Sequence, residues 1–271
     1  MDDQADKAAR FMALHRQEQP LVLANAWDVG SAKLLAALGF DALATTSSGY
    51  AATLGRLDYG ITREESLAHA EALVAATDLP VSADFEDGFA EDPDGVAETV
   101  RLALEIGLAG CSVEDWSAAD GRLYGAEAAA ERVAAAAEAA HAGGVHLVLT
   151  ARAENYLRGN PDLRDTVARL QAYQEAGADV LYAPALDSPG DLRDLIASVD
   201  LPVNVLARRG TPTVPDLTAL GVKRVSVGGG FAFAALGALV GAASELLSDG
   251  TYGFTETADV GAKAARTAFP D

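Results

Sequence analysis

Short apolar runs alternate with longer amphipathic stretches along the whole chain. Short apolar runs bounded by turn residues predict buried strands, and apolar positions at helical spacing predict helices packed over them. Residues 21–27 read as a first strand, followed by a helix over 29–38. Residues 42–48 form the second strand, then comes a long loop and a helix opening at Thr62, where Thr62 and Glu65 make a capping box. The third strand is 80–86, with its helix starting at Asp92-Pro93; the fourth is 110–115, with a helix over 126–142. The remaining strands are 146–153, 180–186, 202–207 and 223–228, with helices opening near Asn160, at Ser188, at Thr213 and over 231–247.

The joints repeat too. Helices end at Gly39, Gly107, Gly177 and Gly221 just before a strand, and glycine accepts the left-handed conformation of a helix C-terminus. Regular βα units with short αβ joints and longer βα loops predict a (β/α)8 TIM barrel, one domain over residues 1–271. An open doubly wound sheet is the alternative, but no G-x-G-x-x-G follows the first strand. The Ala/Gly-rich run 231–243 reads as a buried helix rather than a membrane span, because glycines interrupt it. Residues 248–271 are a C-terminal extension with a helical pattern over 258–267, placed to pack on the same barrel or reach a neighbouring subunit.

Composition narrows the partners. Forty acidic against twenty basic side chains give a formal charge of −20, a surface that repels nucleic acid and anionic membranes. The single cysteine, Cys111, excludes an internal disulfide, and the polar, acidic first residues lack the features of a signal peptide, so a cytoplasmic location is expected. No membrane span is expected.

The chemistry collects where a barrel of this kind places it, at the C-terminal ends of the strands. The third strand ends in Asp84-Phe-Glu-Asp-Gly88, and strand alternation puts Asp84 and Glu86 on one face. Two carboxylates there repel unless a cation or a proton intervenes. With Asp58 and Glu114 they would form an oxygen-rich metal site suited to Mg2+ or Mn2+. Any one of these acids alone fits a solvated strand end; four on three successive units, with an arginine on the next, fit it poorly. Arg152 is placed to hold a substrate carboxylate, or to pair with Glu114 or Glu86. Ser48 and the amides of Gly49 and Tyr50 offer donors to a carboxylate or enolate oxygen, or make an ordinary turn. Gly228–Gly230 offers a weaker anion site, and Asn204 and Arg208 come from the seventh strand. His15, His69, His141 and His146 fall away from the mouth, which leaves a catalytic triad or a histidine zinc site unsupported. Cys111 is out of phase with Glu114 and should face the helices.

These residues resemble the isocitrate lyase/phosphoenolpyruvate mutase superfamily over nearly the whole chain. The resemblance rests on Asn25-Ala-Trp-Asp28, Thr46-Ser-Ser-Gly49, Asp84-Phe-Glu-Asp-Gly88, Val113-Glu-Asp115, Ala151-Arg-Ala-Glu154 and Pro202-Val-Asn-Val205. It implies a barrel whose last helix is often swapped between subunits, a homo-oligomer (dimer or tetramer), bound Mg2+, and a small 2-oxo or 2-hydroxy carboxylate as substrate. By position Asp84 would be the main metal ligand, with Asp58, Glu86 and Glu114 in its shell. Ser48, Gly49, Tyr50, Arg152 and Asn204 would hold the substrate, and Arg152, Glu114 and Tyr50 would take part in catalysis. One motif is missing. Isocitrate and methylisocitrate lyases carry a Lys-Lys-Cys-Gly-His type loop after the fourth strand, where this chain reads Trp116-Ser-Ala-Ala-Asp-Gly-Arg-Leu-Tyr124. Tyr124, Arg122 and Asp120 are the substitutes for proton transfer that this loop offers.

The expected function is therefore a Mg2+-dependent lyase that cleaves a C–C bond of a small 2-oxo or 2-hydroxy di- or tricarboxylic acid through an enolate. Phosphorus–carbon chemistry of the phosphoenolpyruvate mutase or phosphonopyruvate hydrolase type is one alternative. A catalytically degenerate α-keto acid binding protein is another.

Overall fold

A computed structural model, which describes residues 4–269, shows a closed barrel of eight parallel strands. Its strands are β1 (Leu21–Ala26), β2 (Leu43–Thr45), β3 (Val81–Asp84), β4 (Gly110–Glu114), β7 (Val148–Arg152), β8 (Val180–Tyr182), β9 (Val203–Leu206) and β10 (Arg224–Ser226). A small antiparallel hairpin, β5 (Trp116–Ser117) with β6 (Arg122–Leu123), lies in the loop after β4. The helices are α1 (Gln4–Leu14), α2 (Val29–Ala37), α3 (Ser47–Thr53), α4 (Arg63–Ala76), α5 (Pro93–Glu105), α6 (Ala126–His141), α7 (Leu163–Glu175), α8 (Pro189–Ile196), α9 (Val214–Leu220), α10 (Gly230–Ser248) and α11 (Thr255–Ala268).

The register defines the barrel. Leu21 pairs with Arg224, Arg224 with Asn204, Asn204 with Tyr182, Tyr182 with Arg152, and Arg152 with Glu114. Extending the registers of β4 with β3, β3 with β2 and β2 with β1 returns this line to β1 at Val29, eight residues beyond Leu21. That offset is the shear of a (β/α)8 barrel, so the strands tilt and the line climbs from the floor at Leu21 to the mouth.

The alternation along each strand divides the residues between two environments. Cys111, Val113, Leu149, Ala151, Leu181, Val203 and Val205 face outward into the layer between barrel and helices. Cys111 is fully buried there, as expected, and burial pushes its thiol up to about 12. The inward positions are mostly small or polar: Ala44, Ser82, Ser112, Thr150, Asn204 and Ser226. They leave space for a cavity.

Four features differ from the sequence-based expectation. The first strand is preceded by α1, whose Phe11 and Leu14 pack with Leu21, Leu23, Val148 and Val180 across the barrel floor. A β-carbon at Gly110 would meet Phe11 at 2.7 Å and the Val148 carbonyl at 2.8 Å, so only glycine lets this plug seat. β2 stops at Thr45 because Thr46 becomes the N-cap of α3, its hydroxyl accepting from the Gly49 amide. β3 stops at Asp84 because the chain turns through Glu86, at φ 50. Asp84 and Glu86 therefore do not share a strand face.

The fourth difference is α10. It was expected to be buried, yet Ala232 is its only buried residue, while Phe233, Leu236, Leu239, Val240 and Leu247 are exposed. Among the described residues it is the one helix long and apolar enough to cross a membrane by length and composition. It touches the barrel at α3 and β1, whereas α11 returns to pack on α2. The end of the expected C-terminal extension, Pro270 and Asp271, lies outside the described residues, as do Met1, Asp2 and Asp3.

Candidate active site

A cavity of about 160 Å3 opens at the C-terminal ends of the strands and continues down the barrel axis. Asp58, Asp84, Glu114, Arg152 and Ser48 line it, as the sequence predicts, together with Ser47, Tyr59, Ser112, Tyr182, Ser226 and Arg224.

Arg152 is the hub. Its Nη1 donates to Asp84 Oδ1 at 2.8 Å, its Nη2 lies 2.6 Å from Glu114 Oε2, and its Nε donates to Glu154 Oε1 at 3.0 Å. The expected ion pair with Glu114 is present; Glu86 is not among its partners. Burial opposes the charge of Arg152, but Glu114, Glu154 and Asp84 outweigh that and hold it firmly protonated. A second cation, Arg158, reaches in from the loop after β7, with Nη2 3.6 Å from Glu114 and 3.4 Å from Glu154. Its guanidinium stacks over Trp116 at 4.3 Å, which gives the hairpin loop a place in the site.

On the other side Ser47 joins two acids. Its hydroxyl lies 3.0 Å from Asp84 Oδ2 and 3.2 Å from Asp58 Oδ1. Burial raises the Asp58 carboxyl, and the nearby Asp84 raises it further. Glu86 is pushed up to about 8 by burial, then by Asp84 and Asp58, and its Oε1 is buried with no hydrogen-bond partner among the described residues. A buried carboxyl oxygen without a hydrogen-bond partner costs on the order of 1–3 kcal/mol, and more when the group is ionised. Glu86 at φ 50 and Tyr59 at φ 62 both hold left-handed backbone that costs side-chain-bearing residues about 1 kcal/mol or more. Such strain clusters where a fold presents functional groups.

Glu114 is more enclosed than the sequence suggests. Besides Arg152 it accepts a 2.5 Å hydrogen bond from the Tyr59 hydroxyl, which in turn accepts from Arg158. Burial raises both Glu114 and Tyr59, so the phenol stays protonated as the donor in this pair. Glu114 thus faces two arginines and a phenol, while Asp58 and Glu86 face Asp84.

Several expected groups lie elsewhere. The Tyr50 ring stacks flat on His69 at 3.9 Å and does not line the cavity, and its amide donates to the Thr46 carbonyl at 3.0 Å. The Gly49 amide caps α3 through Thr46, so the first turn of that helix uses both amides proposed for an oxyanion. A β-carbon on Gly49 would meet Thr46 Cγ2 at 2.6 Å, so close packing explains this glycine. Asn204 points into the barrel but does not line the cavity, because its amide is taken up in donating to Ser226 and accepting from Arg224. Gly228 and Gly229 do line the cavity, but the amides of Val227 and Gly228 donate to Asn25 Oδ1 and that of Gly230 donates to the Val227 carbonyl. Arg208 pairs with Asp187 at the surface. In the hairpin loop, Arg122 pairs with Asp120 in solvent, and the Tyr124 hydroxyl meets Asp87 at 3.4 Å. None of these three lines the cavity.

Sequence reasoning missed Tyr59, Ser47, Arg158 and Arg224. Tyr59 and Ser47 sit one residue from named candidates, and Arg158 is four residues past Glu154. Only Arg224, at the start of its strand, gave no signal.

Comparison with known proteins is consistent across sequence and structure. Residues 11–247 match the family described as phosphoenolpyruvate phosphomutase. A solved structure from Burkholderia cenocepacia J2315, described as a lyase/mutase, superposes with a TM-score of 0.94 at 50% identity, covering 99% of this chain and 98% of that one. The Mycobacterium tuberculosis protein Rv1998c is 38% identical over 220 residues, 80% of this chain and 81% of its own. The 2-methylisocitrate lyase of Halalkalibacterium halodurans is 32% identical over 204 residues, 74% of this chain and 67% of its own.

Proposed function

The chain belongs to the phosphoenolpyruvate phosphomutase family, within the isocitrate lyase/phosphoenolpyruvate mutase superfamily, and from that premise we propose that it is a Mg2+-dependent carbon–carbon lyase. Its substrate is a small 2-oxo or 2-hydroxy acid with more than one carboxylate. The observation that carries this reading is the imbalance beside Asp84: Asp58 and Glu86 crowd it, and among the described residues Arg152 is the one cation in contact with it and Glu86 Oε1 has no donor.

That donor set fits a hard divalent cation, Mg2+ or Mn2+, held by Asp84 with Asp58 and Glu86 around it. Once bound, the cation would act as a Lewis acid on the oxygen at C2 of the substrate. The protein's own groups supply the rest. Arg152 keeps one Nη1 N–H beyond its bonds to Asp84, Glu114 and Glu154, and this N–H and the cationic charge serve the substrate carboxylate and the charge that develops on cleavage. Glu114 and Glu154 fix the guanidinium in place, and Ser48 and Ser112 present hydroxyls to the cavity. The Tyr59 phenol, kept protonated, stands at the cavity wall where a carbanion leaving group needs a proton. The apolar run on α10 is covered by a second copy of the chain, which makes the working form a homo-oligomer.

The test incubates purified protein with 2-methylisocitrate, oxaloacetate and phosphonopyruvate, with and without Mg2+, and follows pyruvate and phosphate. Pyruvate released from 2-methylisocitrate or oxaloacetate by the protein with metal, above the rate of metal alone, supports the lyase. Phosphate from phosphonopyruvate alone would replace it with phosphorus–carbon chemistry, and no turnover of any of the three would leave a binding protein.

A further inference from the structure

Arg224 stands at the floor end of β10, inside the barrel, and is only 4% exposed. Its Nε donates to Asn204 Oδ1 at 3.0 Å, and its Nη1 donates to Thr150 Oγ1 at 3.0 Å and meets His15 Nε2 at 3.3 Å. His15 is a neutral acceptor in that contact. Its Nδ1 lies 2.8 Å from the Phe11 carbonyl, which can only accept, so the ring proton is on Nδ1 and the Nε2 lone pair faces Arg224. All three partners of this buried guanidinium are uncharged.

A buried cation without a counter-anion is costly, and folded proteins pair such groups almost without exception. Asp179, a carboxylate of the same floor, is bonded instead to His141, His146 and the Leu149 amide. The Nη2 of Arg224 has no hydrogen-bond partner among the described residues. Yet Arg224 lines the same cavity as Asp84 and Arg152. The register places Arg224 three strand steps below Arg152 on one ladder line. With strands ~4.8 Å apart and tilted ~36°, this is a descent of roughly 8 Å along the barrel axis. A separation of that order is within reach of a short carbon chain with a carboxylate at each end.

We infer that Arg224 is the anchor for a second carboxylate, carried on the arm of the substrate that points down the barrel from the 2-oxy carbon. This rests on the proposed function for the upper site and sharpens it. The cavity takes an acid with carboxylates at both ends, one held at the mouth beside Arg152 and one received by Nη2 at the floor. An acid ending in a methyl group would leave the guanidinium buried without an anion, as it is in the free protein.

Titration calorimetry of the full-length protein in Mg2+ tests this with malate and 2-hydroxybutyrate, which differ by a carboxylate in place of a methyl. The wild type is expected to bind malate at least tenfold more tightly, about 1.4 kcal/mol. Arg224→Gln should erase that preference while leaving 2-hydroxybutyrate affinity nearly unchanged, and Arg224→Lys should keep part of it. A purely structural role would weaken both acids alike and leave the ratio intact, which overturns the inference. If Arg224→Gln fails to fold, the wild-type ratio decides: equal affinities for the two acids overturn it. Binding of neither acid would be a different result, because it removes the proposed function of the upper site and this inference with it.

Discussion

Arg152 Nη1 and Asp84 Oδ1 are 2.8 Å apart, so the acid at the centre of the proposed metal site is bonded to the group that would grip the substrate. The same guanidinium also holds Glu114 and Glu154, which ties β3, β4 and β7 into one charged cluster.

Asp84→Ala should abolish tight Mg2+ or Mn2+ binding, read by calorimetry, and lower turnover by about a thousandfold or more, since a catalytic metal contributes several kcal/mol. Far-UV circular dichroism should be unchanged, because Arg152 keeps two other acids. Wild-type metal affinity in the variant would remove Asp84 from the site.

Arg152→Met should cost about 3–5 kcal/mol in urea unfolding, the usual penalty for leaving buried charges unpaired. The loss should sit toward the lower end, since Arg158 remains near Glu114 and Glu154. A double variant that also carries Glu114→Gln should recover part of it.

His15 should make stability depend on acid pH. Burial, then the charge of Arg224, lowers its pKa from 6.5 to about 3, so the unfolded chain binds more protons between those values. Its contribution is therefore fully present above pH 6.5 and is lost as pH falls toward about 3, with a slope of up to about 1.4 kcal/mol per pH unit. His69, lowered to about 4, acts in the same direction. Unfolding free energies at several pH values should fall less steeply in His15→Asn than in the wild type; parallel curves would exclude His15 as a cause.

The proposed homo-oligomer should be seen for the wild type in light scattering after gel filtration, and Leu239→Glu with Val240→Glu should convert it to monomer. Both residues are more than half exposed on α10 in the single chain. Retention of wild-type mass by this variant would mean that α10 is not the interface.

Much of the frame is legible in the sequence. The strand–helix alternation, the glycine joints and the capping residues Thr62, Asp92, Ser188 and Thr213 are local signals, and each cap is present. The acids Asp58, Asp84 and Glu114 and the arginine Arg152 were legible because barrel topology sends every strand's C-terminal end to one mouth. Local rules failed where the chain leaves regular geometry. Strand alternation paired Asp84 with Glu86, but the turn at Glu86 breaks it, and the two acids meet through space instead.

What the sequence determined by itself is the barrel, its open end and the charge gathered there, because these follow from periodicity and connection rules that act over a few residues. Tertiary structure alone decided which groups meet at the site: Ser47 joins the two acids, Tyr59 rather than Tyr50 reaches Glu114, and Arg224 lines the lower cavity with no anion beside it among the described residues. The physical reason is the barrel's closure and stagger. They set the heights at which inward side chains of different strands meet, and no stretch of sequence carries that offset.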